Sequence, residues 1–201
     1  MTLADPRAVA VVRALTERGQ TLATAESLTG GLIGAAITAV PGASAVYLGG
    51  LITYATDLKA RLGGVPADVL AAAGPVSAQA AAAMASGARE ATGADWAVAA
   101  TGVAGPDPQD GHPPGEVWLG LSGPDGIVRT VHLDLTGGRA AVRAGTVVAA
   151  LSQLVDAVLP AAAAVTAVHG ARDPAIDQTQ AGEAGVPPPI EGVGEPNRAV
   201  G

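Results

Sequence analysis

Four stretches of the chain combine residue types that could do chemistry. The first is Ala25-Glu26-Ser27-Leu28-Thr29-Gly30-Gly31, where a serine stands between a β-branched stretch and an apolar helical stripe. A hydroxyl at a strand-to-helix junction lies beside free N–H groups and the positive end of a helix dipole, both of which favour negative charge. The amides of Leu28 to Gly30 are candidate oxyanion donors, and the paired glycines let a ligand approach without a Cβ clash. The same residues also read as an ordinary N-cap followed by a packing concession.

The second stretch holds Tyr54 and Lys59, and Lys59 is the only lysine against ten arginines. Arginine stays charged, so a lysine is the side chain that could lose its proton and act as a base; a solvated helix lysine is the plainer alternative. The third is Thr101-Gly102-Val103-Ala104-Gly105-Pro106, placed after an apolar strand, where open α/β sheets bind ligands; an ordinary turn is its alternative. The fourth pairs Arg139 with Arg143 at i,i+4 after Gly137-Gly138. Two guanidiniums on one helix face could clamp a phosphate, or could simply be solvated.

Several chemistries are excluded or unsupported. No cysteine occurs, which removes disulfides, thiolate metal sites and cysteine nucleophiles, and fits a cytoplasmic protein. His112, His132 and His169 are isolated in sequence, so neither a metal site nor a histidine-based triad is expected, and no cofactor is implied. A net charge of −7 argues against nucleic acid as a general partner. No uninterrupted apolar run reaches the ~20 residues of a membrane span, and the N-terminus lacks the pattern of a signal peptide. A homo-oligomer is left open.

The elements that must position these residues follow from pattern. Asp5-Pro6 opens a helix running to Gly19, and residues 21–25 read as a strand. A helical stripe covers residues 32–40, and residues 46–55 read as a strand whose glycines mark a bulge or a close backbone approach. Short helices are expected over 57–62 and from Pro66 to Gly74, then a long one capped by Ser77. Residues 95–100 form a buried strand, 116–122 and 127–135 a hairpin pair, and 139–159 a final helix. With 49% hydrophobic residues and no Phe, the core must be built from Ala, Val, Leu and Ile. The alternation predicts an α/β fold, a three-layer α/β/α sandwich around a mixed central sheet, over residues 1–165. Residues 166–201 are rich in Ala, Gly, Pro and Glu and are expected to form a disordered tail.

Taken together the segments resemble the CinA carboxy-terminal domain family. The resemblance rests on TAESLTGG (24–31), PGAS and a strand ending in ITY (41–54), LKARLGGV (58–65), GPVS (74–77), ATGVAGPD (100–107), GEVWLGL (115–121) and GGRAAVRAGT (137–146). It implies the α/β/α sandwich and hydrolysis of nicotinamide mononucleotide, a pyridine nucleotide, to nicotinate mononucleotide and ammonia. It also implies Ser27 as nucleophile with Lys59 and Tyr54 as helpers. Glu26, Leu28, Thr29, Gly30, Gly31, Thr101, Gly102, Gly105, Arg139 and Arg143 would shape the oxyanion and substrate site. Longer relatives carry an additional N-terminal domain, so the resemblance implies a stand-alone form.

Two departures stand out: residues 108–114 replace the usual paired glycines, and Gly137-Gly138-Arg139 replaces Gly-Asp-Arg. For Lys59 to serve at neutral pH, its ordinary pKa of ~10.4 must fall to ~7–8, with burial and Arg139 as expected causes. Two other functions remain open: a non-catalytic nucleotide-binding, competence-associated module, and a serine amidase for another small amide.

Overall fold

The computed structural model describes residues 4–159; the expected tail over 166–201 and His169 lie outside them. Helix α1 (Pro6–Arg18) begins where the Asp5 carboxylate accepts from the Arg7 amide at 2.8 Å, and it ends at Gly19 in the left-handed conformation. Strand β1 (Leu22–Glu26) leads into α2 (Leu32–Thr38), and β2 (Tyr47–Ile52) into α3 (Thr56–Arg61) and α4 (Ala67–Ala73). Helix α5 (Ala78–Thr92) starts at Ser77, whose hydroxyl accepts from the Ala80 amide at 3.1 Å. Strands β3 (Trp96–Gly102), β4 (Glu116–Ser122) and β5 (Val128–Asp134) precede α6 (Arg139–Val158).

The sheet order is β2-β1-β3-β4-β5. Strand β1 runs parallel to β2 and β3, whereas β3–β4 and β4–β5 are antiparallel. The sheet is therefore mixed, as expected, and its parallel half is the half that feeds the loops after β1 and β2. The expected glycine irregularity is a register shift: Leu22 pairs with Tyr47 but Ala23 with Gly49, so Leu48 is the extra residue.

Helices cover both faces. Leu22, Trp96, Val98, Ala100, Val117, Leu119 and Leu121 pack with α1, α2 and α6, while Ala23, Ala25, Ala97 and Ala99 pack with α5. The alternation is the period of two that a strand imposes. Alanines on the second face let α5 lie close to the sheet. Helix α6 is long and apolar enough to cross a membrane by length and composition, but Val142, Ala150, Leu151, Leu154, Val155 and Val158 are buried in the first core.

Two boundaries differ from expectation in ways that matter. Strand β2 stops at Ile52, which leaves Thr53 and Tyr54 in the turn before α3. Strand β3 continues through Thr101 and Gly102 because they pair with Trp118 and Val117 of β4. That pairing is a tertiary contact and leaves no local trace in the loop-like sequence Thr-Gly.

Candidate functional site

Strand β1 ends at the site. The Ser27 amide extends its pairing with β3 by donating to the Ala100 carbonyl at 3.0 Å, and the Ser27 carbonyl accepts from the Gly30 amide at 3.1 Å. The chain turns there through Gly30 at φ +59° and Gly31 at φ +99°, a backbone region that a side chain disfavours. Glu26, fully buried, points the other way. Its Oε2 accepts from the Gly31 and Ile33 amides at 2.9 and 3.0 Å, and its Oε1 from the Gly34 amide at 2.9 Å. Thr24 Oγ1 adds a bond to Oε1 at 3.3 Å and lies 2.8 Å from the Tyr47 hydroxyl. Burial above all raises the Tyr47 pKa, opposed by the Thr24 hydrogen bond and helped by the Glu26 charge. Because Thr24 Oγ1 gives its proton to Glu26, the Tyr47 hydroxyl is the donor to Thr24.

This corrects the expectation for the helix start. The first amides of α2 are occupied by Glu26, so Glu26 and Gly31 form an internal cap instead of a substrate surface. Gly30 is excluded as an oxyanion donor by its bond to Ser27. The amides of Leu28 and Thr29 donate to no acceptor among the described residues.

Lys59 comes to Ser27 from α3. The loop that follows α3 meets α5 where Gly63 and Gly64 approach Gly87 with no space for a Cβ. The Lys59 side chain is only 2% exposed. Its Nζ donates to Ser27 Oγ at 2.9 Å and to the Thr53 carbonyl at 3.0 Å. Burial lowers its pKa to about 8, while the negative charge of Asp110 works in the opposite direction. Of the two expected causes, burial accounts for the lowering and Arg139 is not among its causes.

A cavity of about 260 Å³ opens above the pair. Ser27, Leu28, Tyr54, Lys59, Thr101, Gly102, Gly105 and Arg139 line it, whereas Glu26, Thr29, Gly30, Gly31 and Arg143 do not. Tyr54, exposed at 59%, accepts at its hydroxyl from Arg139 Nη2 at 2.9 Å and makes no hydrogen bond to Lys59. Arg139 Nη1 also donates to the Gly105 carbonyl at 3.0 Å. Arg143 turns instead to the loop after Ser27, with Nε on the Leu28 carbonyl at 3.0 Å and Nη2 on the Thr29 carbonyl at 2.9 Å. Of the two arginines expected to clamp a phosphate together, only Arg139 reaches the cavity. Thr101 Oγ1 donates to the Pro75 carbonyl at 2.7 Å, tying β3 to the start of α5.

A model of the CinA C-terminal domain matches residues 4–158. The chain belongs to the CinA C-terminal domain family. A CinA-like protein from Frankia casuarinae is 50% identical over 141 residues, covering 70% of this chain and 32% of that relative. One from Parasynechococcus marenigrum is 49% identical over 153 residues, covering 75% and 36%. The chain spans about a third of the length of the curated relatives it matches. Among solved structures, the competence/damage inducible protein CihA from Agrobacterium tumefaciens superposes with a TM-score of 0.74 at 37% identity, covering 78% of this chain and 98% of that one. A CinA superfamily protein from Klebsiella pneumoniae gives 0.72 at 33% identity, covering 84% and 99%.

This CinA domain also recruits residues whose types gave no chemical signal. Pro75 and Val76 line the cavity from GPVS, and Asp107 from ATGVAGPD, motifs that carried the resemblance without a stated role. Thr56 and Gln109 line it too, and the Thr53 carbonyl that holds Lys59 is main chain, invisible to residue type. The divergent segment 108–114 folds as a tight two-residue turn: Gln109 and His112 exchange backbone bonds at 3.1 and 2.9 Å around Asp110 and Gly111, both at positive φ. His112 then lies 3.0 Å from Glu116, and His132 3.8 Å from it, so two histidines distant in sequence meet at one carboxylate. No cluster of three or more residues suited to a metal occurs among the described residues.

Proposed function

We propose that this CinA domain is a serine amidohydrolase that converts nicotinamide mononucleotide to nicotinate mononucleotide and ammonia. The observation that carries the reading is the Lys59 amine, buried and 2.9 Å from the Ser27 hydroxyl at the floor of a cavity. With a pKa of about 8, roughly one-tenth of Lys59 is neutral at pH 7, enough for a general base without a cysteine, histidine or metal.

In the first step Ser27 Oγ bonds to the carboxamide carbon as its proton passes to neutral Lys59. The tetrahedral oxyanion is received by the backbone amide of Leu28, which lines the cavity. Lys59 then gives the proton to the amide nitrogen, the C–N bond breaks, and ammonia leaves an ester on Ser27. Water attacks that ester, its proton returns through Lys59 to Ser27 Oγ, and the acid is released. The Thr53 carbonyl keeps the amine aimed at Ser27 throughout. The direct 2.9 Å contact supports transfer without Tyr54 as a relay. Arg139, at the cavity wall and beside Tyr54, is the cation available for the phosphate.

Ammonia release from nicotinamide mononucleotide, nicotinamide and glutamine tests the assignment. Turnover of the nucleotide alone is expected. Turnover of another amide instead would move the protein to a different amidase class, and no turnover of any would leave the non-catalytic binding module.

A further inference from the structure

Arg139 and Arg143 stand one turn apart on α6, yet only Arg139 reaches the cavity. Arg143 spends its donors on two consecutive carbonyls of the nucleophile turn. A trans peptide directs its N–H opposite its C=O. Holding the Leu28 carbonyl therefore turns the Thr29 N–H away from Arg143. The Thr29 carbonyl, also held, fixes the next peptide, whose Gly30 N–H donates to the Ser27 carbonyl at 3.1 Å. That bond in turn sets the direction of the Leu28 N–H. Both amides left without an acceptor among the described residues are thus set by one side chain, one directly and one through the Gly30–Ser27 bond.

We propose that Arg143 is the positioning residue of the oxyanion hole, fixing the turn so that the Leu28 amide, the one of the pair that lies at the cavity wall, receives the oxyanion. Among the described residues no carboxylate pairs with Arg143, so its charge is not neutralised locally. The adjacent corner reinforces the assignment by elimination, because Gly31, Ile33 and Gly34 give their amides to Glu26, and Ser27 gives its own to Ala100.

This inference rests on the serine-amidase reading for its natural substrate, but its test does not need that substrate. An alkyl fluorophosphonate reacts by forming a bond from Ser27 Oγ to phosphorus as the P–F bond breaks, with the serine proton passing to Lys59 and fluoride leaving. The charge that builds on the phosphonyl oxygen needs the same donor. Labelling of Ser27 is expected to be about 10–100-fold slower in Arg143→Met, a loss somewhat below that of deleting one oxyanion donor. Arg143→Lys, which keeps the charge but cannot hold two carbonyls in one plane, should fall between. Arg129→Met on exposed β5 should label at the wild-type rate.

With nicotinamide mononucleotide, Arg143→Met should lower kcat and leave KM within about twofold, whereas a phosphate ligand would raise KM. Equal labelling of wild type and folded Arg143→Met, no labelling of the wild type, or a KM effect with kcat unchanged would each overturn the proposal. If the Met variant does not fold, wild-type labelling of Arg143→Lys overturns it. Labelling without ammonia release from the nucleotide would sink the substrate reading alone and leave Arg143 to be judged by the labelling ratio.

Discussion

Two buried ionisable side chains flank the Ser27 junction, and the fold treats them in opposite ways. Below α2, the Glu26 carboxylate accepts four hydrogen bonds, three of them from amides that would otherwise be orphaned at a helix start. Across the junction, Lys59 has two acceptors among the described residues, and one of these is the hydroxyl whose proton it would take. A saturated charge becomes scaffold: it fixes where α2 begins and hence where Ser27 sits. An unsaturated one keeps its burial penalty, which appears as a pKa lowered to about 8 and so as usable basicity. Burial alone does not mark a functional charge; how fully its hydrogen bonds are met does.

Removing each group should separate the two roles. The largest effect is expected at Ser27→Ala, which should lower ammonia release by at least about 10⁴-fold, as deletion of a serine nucleophile does, with the thermal midpoint nearly unchanged. A comparable loss accompanied by unfolding would show that Ser27 is scaffold as well. Next comes Glu26→Ala, which leaves the Gly31, Ile33 and Gly34 amides without their acceptor. We expect a loss of about 3–5 kcal/mol in urea unfolding. Glu26→Gln keeps one acceptor oxygen and should lose less. If Glu26→Ala retains full stability but fails to turn over, Glu26 belongs to the chemistry and the contrast dissolves.

Much of this was legible from residues. The sole lysine and the serine at a strand-to-helix junction before paired glycines made Lys59 and Ser27 candidates, the family resemblance paired them, and the structure brings them into contact. Other roles were hidden because they are settled by tertiary geometry. A cap is normally sought within three residues of a helix start, whereas Glu26 reaches amides five to eight residues ahead across a turn. The i,i+4 spacing places Arg139 and Arg143 on one face, but one turn is about 5.4 Å, enough for the first to reach the cavity while the second reaches the loop after Ser27. Thr101 and Gly102 became strand only because β4 pairs with them.

The lowered pKa of Lys59 gives the third expectation. In the unfolded chain the amine titrates near 10.5, in the native protein near 8. Below pH 8 it is protonated in both states and the burial penalty is fully present. Between about 8 and 10.5 the unfolded state binds the extra proton, so Lys59's contribution to stability rises with pH by up to about 3 kcal/mol. Lys59→Met should remove this gain, measurable by chemical denaturation at pH 7.5 and pH 10. Wild-type turnover should rise over the lower part of the same range, through pH 8. A gain that survives in Lys59→Met would assign it to another group and remove the argument for a poised base.

Smaller effects are expected at the cavity wall, where exposure screens charge. Arg139→Ala should raise KM for the nucleotide about tenfold, or roughly 1.4 kcal/mol, and spare an amide substrate that lacks the phosphate. Tyr54→Phe should change kcat by less than about threefold, because the hydroxyl it deletes is held by Arg139 at 2.9 Å while Lys59 reaches Ser27 unaided. A relay hydroxyl would behave differently: its removal would interrupt proton transfer and cost about 10²-fold or more. A Tyr54→Phe loss of that size, with KM steady, would place Tyr54 between Lys59 and Ser27 during turnover and require Arg139 to release it when the nucleotide binds.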